Sequence, residues 1–202
     1  MRDRKNSVEL RRAVLEDEPR LIQIQCRAIA ILAVDDYDSR QIKALIRSKS
    51  KPRFASEITF VAEIDSYIVG FAAMLGTHNV ISAVFVDPDF VRQGIASLLL
   101  KQLEELAQEQ NVPLIWVSSS LTGQSFYRAN GYSNVEQINL ILGSCYIPCW
   151  RMKKRLLPFT LQEAGSELIQ LATAFLLASF TAILLQALAQ LIETISKIYF
   201  GS

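Results

Sequence analysis

The stretch Ile81–Leu100 reads I-S-A-V-F-V-D-P-D-F-V-R-Q-G-I-A-S-L-L-L, and its periodicity changes in the middle. Val80 to Val86 is apolar and β-branched, the pattern of a strand, and Asp87-Pro88-Asp89 ends it because proline cannot continue a ladder. From Gly94 to Gln110 the apolar residues Ile95, Leu98, Leu99, Leu103 and Leu106 trace one stripe of a helix. Between them lies a basic, glycine-containing loop, Val91-Arg92-Gln93-Gly94-Ile95-Ala96-Ser97. A loop that runs straight into a helix points several free N–H groups outward, and the helix dipole makes that spot attractive to an anion. Gly94 permits close backbone approach, Ala96 is small, and Arg92 offers a charge-assisted contact. A purely structural turn has the same outline.

Working outward, Val8-Glu9-Leu10-Arg11 alternates like a short strand, and Leu21, Ile22, Ile24, Ile29 and Leu32 recur at helical spacing. Asp35–Ser39 interrupts that helix, and a second is predicted from Arg40 to Arg47. Ile58–Ile64 and Tyr67–Leu75 form a predicted hairpin around Asp65-Ser66. After the central helix come a strand at Leu114–Val117 and a short helix from Gly123 to Arg128, stopped by Asn130-Gly131. Two weaker strands are expected at 133–142 and 146–155. This order predicts an α+β fold, with a mixed, mostly antiparallel central sheet, flanking helices and one strand–helix–strand crossover.

Composition narrows the function classes. Twenty-one Lys plus Arg against twenty Asp plus Glu leave a formal net charge of +1, which gives no global reason to expect nucleic acid. Cys26, Cys145 and Cys149 are too few and scattered for a disulfide framework, and with His78 as the only histidine no metal site is expected. The charged start M-R-D-R-K-N-S lacks the layout of a secretory signal peptide. A dinucleotide-binding oxidoreductase would carry G-x-G-x-x-G after an early strand, and a nucleotide triphosphatase would carry G-K-[ST]; neither is present.

The loop, together with Ser125-Phe126-Tyr127-Arg128-Ala129-Asn130-Gly131-Tyr132, resembles the GCN5-related N-acetyltransferase (GNAT) superfamily. In that family an R/Q-x-x-G-x-G/A loop grips the CoA pyrophosphate, and an F-Y-x-x-x-G-F/Y stretch follows farther along. Here Gly94-Ile95-Ala96 supplies the second half of the first motif, while Val91 stands where Arg or Gln is usual. The closing I-P-C-W-R-M-K-K-R-L, residues 147–156, resembles the last strand of small bacterial members. The resemblance extends over most of residues 8–157 and implies the acyl-CoA N-acyltransferase fold, acetyl-CoA as cofactor and an amine acceptor, either a small molecule or a peptide amine. It also implies that backbone groups at Phe85 and Val86 hold the acetyl carbonyl and pantetheine, and that Tyr127 is the general acid at the sulfur. Val91, Arg92, Gln93, Gly94, Ile95, Ala96 and Ser97 are the expected pyrophosphate contacts.

The chemistry needs no covalent nucleophile. A base for the amine is sought among carboxylates, with Glu63 the first candidate and Asp36 the second. Ser118 and Ser119 are placed to contact pantetheine or relay a proton, and Tyr37 and Gln41, four residues apart, to border the acceptor pocket. A non-catalytic acyl-CoA sensor is the alternative from another class.

Past Leu157 the composition changes. Leu168–Ile192 is a run of 25 residues without a charge, about 37 Å long as a helix and so long enough to cross a bilayer core. Arg151, Lys153, Lys154 and Arg155 precede it and favour a cytoplasmic catalytic side. The expected organisation is a transferase domain, 1–157, and a hydrophobic helical tail, 158–202. The tail reads as a membrane anchor. Gln186, Gln190 and Glu193 share a stripe that also suits a homo-oligomer or an interfacial helix.

Overall fold

In a computed structural model that describes residues 7–48, 56–76, 79–158 and 161–200, seven strands form one sheet in the order β1-β2-β3-β4-β5-β7-β6. The strands are β1 (Glu9–Arg12), β2 (Glu57–Ile64), β3 (Tyr67–Leu75), β4 (Val80–Val86), β5 (Leu114–Ser120), β6 (Ser133–Leu142) and β7 (Cys145–Arg155). The helices are α1 (Glu18–Leu32), α2 (Ser39–Ser48), α3 (Ile95–Glu109), α4 (Gln124–Ala129) and α5 (Leu161–Phe200). Every strand pairing is antiparallel except β4 with β5, the two strands joined by the α3 crossover. The sheet is therefore the mixed, mostly antiparallel one expected.

Alternation along β3 explains the layering. Val69, Ala72 and Met74 enter one apolar cluster with Ile95, Leu99 and Leu103 of α3. Ile68, Phe71 and Ala73 enter another with Leu21 and Ile24 of α1. From Phe71 to Met74 successive residues point to opposite faces. An extra residue at Val69, where Glu63 opposes Ile68 and Ala62 opposes Gly70, shifts that alternation by one, so α1 and α3 cover the two sides of the sheet. A fully buried leucine such as Leu103 contributes about 1.5–3 kcal/mol over its exposed state.

β5 runs three residues farther than predicted, to Ser120, because Ser118, Ser119 and Ser120 pair with Arg151, Trp150 and Cys149 of β7. The last strand thus lies between β5 and β6. α4 stops where Gly131 adopts φ +87°, allowing the Tyr132 N–H to reach the Tyr127 carbonyl at 3.0 Å.

The chain divides into two compact units, Met1–Leu157 and Pro158–Ser202. The second is dominated by α5, whose stretch Leu168–Gln190 has a mean hydropathy of 2.2 and is long and apolar enough to cross a membrane.

Candidate active site

β4 and β5 pair only at Val80 with Trp116 and Ile81 with Val117. On its other side β4 carries an extra residue, Ser82, because Met74 opposes Ile81 while Ala73 opposes Ala83. Such a bulge bends a strand, and here the pairing with β5 ends one residue before it. β5 meanwhile continues along β7, so the two parallel strands part. A cavity of about 890 Å³ fills the gap, bounded by Ser82–Val86, Val117–Ser120, the loop before α3, and Phe126 and Tyr127 of α4.

Main-chain direction sets what faces this gap. The Asp87 N–H donates to Val69 O on β3 at 2.8 Å. With a two-residue period, Phe85 turns its N–H the same way, and Val84 and Val86 turn theirs toward the missing β5 partner. The expectation for the Phe85 main chain is corrected accordingly: its side chain lines the cavity, but its peptide donor belongs to β3.

At the mouth, Gly94 caps α3 with φ +80° and Arg92 has φ +65°. A Cβ on Gly94 would meet nothing within 4 Å, so open space lies above the loop. The N–H groups of residues 92–97 have no acceptor among the described residues; the first helical bond there runs from the Leu98 N–H to Gly94 O. These orphan donors make an anion cradle at the positive end of the α3 dipole. Arg92 is exposed, lines the cavity and makes no ion pair among the described residues. Val91 packs its side chain on the core instead of offering a donor.

The loop is anchored from below by Asp87, only 1 % exposed. Its carboxylate accepts from Arg20 at 2.8 Å and Arg27 at 2.5 Å, both on α1, and from the Asp89 N–H at 3.2 Å. Burial pushes its pKa up, but the Asp89 N–H and the two guanidinium groups outweigh burial and hold it below the ordinary range. Arg27 also reaches Asp89 at 3.0 Å.

Tyr127 stands at the other wall, 7 % exposed, with edge-on contacts to Phe126 and Tyr132 at 5.1 and 5.3 Å between ring centres. Its hydroxyl has no hydrogen-bond partner among the described residues, and burial raises its pKa well above the ordinary phenol value. Ser119 is buried beside it and donates to Ser120 O at 2.8 Å.

A model of the acetyltransferase (GNAT) domain matches residues 33–156. The chain belongs to the GNAT acetyltransferase family. It is 31 % identical over 135 residues to the uncharacterized N-acetyltransferase YafP of Escherichia coli strain K12, covering 65 % of this chain and 85 % of that protein. Its fold is similar to a GCN5-related N-acetyltransferase from Rhodopseudomonas palustris (TM-score 0.69, 24 % identity, 74 % of this chain and 96 % of that one). It is also similar to PaiA N-acetyltransferase from Thermoplasma acidophilum, solved with coenzyme A (TM-score 0.61, 20 % identity, 74 % and 99 % covered).

Of the residues singled out for this GNAT site, Phe85, Val86, Val91, Arg92, Gly94, Ile95, Ala96, Ser97, Ser118, Ser119 and Tyr127 all border the one cavity. Gln93 is exposed and does not line it, leaving only its main-chain N–H to offer. Glu63 is a correction. It lies on β2, two strands from the gap, and its Oε1 accepts from Arg11 Nη2 at 2.7 Å and Nε at 3.1 Å. Arg11 in turn binds Asp17 at 2.7 Å, so Glu63 belongs to a structural ion pair that ties β1 to β2. Tyr37 lines the same cavity, whereas Gln41 does not. The Tyr37 hydroxyl donates to Pro148 O and accepts from the Leu121 N–H, both at 2.8 Å, and Gln41 Nε2 donates to Tyr146 O at 2.8 Å. They stitch the α1–α2 region to β7. Asp36 accepts from Thr122 Oγ1 at 2.6 Å at the cavity edge. His78 lies outside the described residues.

Sequence reasoning missed Asp87 as an anchor and Ser82 as the bulge. The D-P-D sequence carried a signal for the first, since an aspartate there caps the turn at Pro88–Phe90; nothing local marks the second.

Proposed function

We propose that this chain transfers the acetyl group of acetyl-CoA to a primary amine by direct attack, within a cytoplasmic domain held to a membrane by α5. The observation that carries the reading is the continuity of the parted β4–β5 gap with the open, donor-rich turn at Gly94. The residues present fit the cofactor: residues 92–97 offer N–H groups to a pyrophosphate, and the unpaired edge of β4 offers main-chain partners to a pantetheine amide. Acetyl-CoA supplies an acyl group activated as a thioester.

The Val86 N–H is placed to donate to the oxygen on which negative charge develops. The Tyr127 hydroxyl holds a proton toward the sulfur side of the gap. Its raised pKa keeps it protonated at neutral pH and makes it a poor acid, so its role is hydrogen-bond donation to the departing sulfur. Ser119 shapes the wall beside it. With Glu63 tied to Arg11, the proton leaving the amine passes to water at the edge where Thr122 meets Asp36.

Residues 158–202 form the anchor in this reading. Within Leu168–Gln190 the Thr173, Ser179 and Thr181 hydroxyls each donate to a carbonyl of their own helix at 2.8–2.9 Å. Polar groups satisfied this way are compatible with a lipid surrounding. The basic residues Arg151–Arg155 ahead of the span favour the cytoplasmic side for the catalytic unit.

The test is a calorimetric CoA titration together with thiol release across a broad amine panel. A β-branched residue at φ +80° carries about 1–2 kcal/mol of strain, and its bulk enters the anion cradle. Gly94→Val is expected to weaken CoA by about 100-fold. Unchanged CoA affinity in that variant sinks the cofactor assignment. Tight CoA binding with no transfer to any amine favours the sensor reading instead.

A further inference from the structure

The same cavity continues past the β4–β5 gap to the α1, α2 and β6–β7 side, where its composition is one-sided. Ile29, Leu32, Ala33, Leu45, Leu140 and Ile147 line this half. Ile147, Ala33 and Ile29 are buried at 1, 7 and 7 % exposure, while Leu32 and Leu140, each 39 % exposed, form its rim. Among the described residues the whole cavity wall contains no Asp, Glu or His, and its one charged side chain is Arg92, at the opposite end. The nearest carboxylate named at the edge, Asp36, already accepts the Thr122 hydroxyl.

An alkylammonium entering the apolar half would lose its hydration with no counter-charge in the described wall, and among the residues lining that wall it would meet no carboxylate or imidazole to take its proton. An amine that is already uncharged at neutral pH avoids both penalties, and an apolar body beneath it fills the wall. We infer that the acceptor is a weakly basic amine on an apolar body, an arylamine in chemical class, rather than a polyamine, an amino sugar or a lysine side chain. This rests on the transferase reading above. In the reaction the amine nitrogen bonds to the acetyl carbon and the carbon–sulfur bond breaks; the nitrogen gives its extra proton to water, and the departing thiolate takes one proton from water to become the CoA thiol.

The experiment compares 1-aminonaphthalene, benzylamine and spermidine on the full chain with CoA present. Equilibrium binding is followed by the naphthylamine fluorescence and by competition against it. Acetyl transfer from acetyl-CoA is then measured for each amine from pH 6.5 to 8.5. Expected is at least about 100-fold tighter binding of 1-aminonaphthalene than of spermidine, set by the uncompensated ammonium charge. Its kcat/KM should be flat with pH, whereas that of benzylamine should rise about tenfold per unit as the free amine appears. Leu45→Glu, which places a carboxylate in the wall, should move the preference toward spermidine by at least about tenfold, while Leu45→Met should not. Binding and transfer to benzylamine or spermidine equal to or better than to 1-aminonaphthalene overturn the acceptor assignment and leave the transferase reading standing. Transfer to no amine at all, with CoA bound, overturns both.

Discussion

Helices α3 and α5 are built from much the same residues, Leu, Ala and Ile, yet they meet their surroundings in opposite ways. α3 concentrates its apolar residues on one face and buries Ile95, Leu99, Leu100, Leu103 and Ala107, leaving Lys101 and Glu105 outside as an i,i+4 pair. α5 is apolar on all sides. Phe175, Leu177 and Phe180 are 74, 66 and 67 % exposed to whatever medium surrounds that unit. Apolar content alone therefore does not mark a core; its angular distribution does. A one-sided stripe asks for a sheet, and a full cylinder asks for lipid or for other helices.

The largest effect that would break this contrast comes from charging α5. At the centre of a membrane span each arginine costs about 2.5–3.5 kcal/mol by insertion scales. Leu177→Arg with Phe180→Arg should therefore disfavour insertion by about 5–7 kcal/mol. The full chain is expected in the carbonate-resistant membrane pellet and the double variant outside it. Equal fractionation of the two, or a wild-type chain that stays in the supernatant without detergent, defeats the lipid reading of α5.

A smaller effect tests how the other unit tolerates charge. Asp87 is buried, but two α1 arginines pair with it, whereas Leu168–Ile192 simply contains no charge. Asp87→Asn leaves Arg20 without a counter-ion and Arg27 with only the exposed Asp89. Both keep some contact with solvent, so the expected loss is about 2 kcal/mol, below the range for a fully buried pair. The folded carboxyl has a lowered pKa, so its stabilisation is complete above the unfolded value, about 4, and is lost as pH falls through the folded value. Denaturant midpoints across pH 2–7 should show that acid limb in the wild type and a shallower one in the variant. Identical limbs would remove Asp87 from the anchor role.

Legibility followed the range of the interactions. The strand–turn–helix at 80–110 could be read because one segment carries both periods and the punctuation between them. The position of β7 between β5 and β6 could not, since it depends on pairing Leu114–Ser120 with residues 29 to 41 positions away. The site divides the same way. Gly94 announces its left-handed backbone through its missing side chain. Glu63 looked available only because its partner Arg11 sits 52 residues earlier on a neighbouring strand. Tyr37 borders the cavity as expected, but its hydroxyl partners, Pro148 and Leu121, are remote in sequence and could not be read.

The finest contrast concerns hydroxyl groups. In α5 Thr173, Ser179 and Thr181 satisfy theirs within the helix, as the lipid reading of that helix requires. Tyr127, almost as dry, keeps its hydroxyl unpartnered among the described residues. That hydroxyl borders the cavity instead of being sealed in the core, so its hydrogen bond is free to pass from water to a ligand that enters the gap. Tyr127→Phe removes that donor and little volume. With chemistry rate-limiting, kcat should fall about tenfold, or 1.4 kcal/mol, because a phenol with a raised pKa stabilises the leaving sulfur by hydrogen bonding more than by full proton transfer. CoA affinity should change by less than about threefold. Since the hydroxyl ionises only well above its ordinary range, the wild-type kcat should show no limb from Tyr127 below pH about 10. A fall in CoA affinity as large as the fall in kcat would mean that the ring packs the cofactor and that its hydroxyl has no part in the transition state.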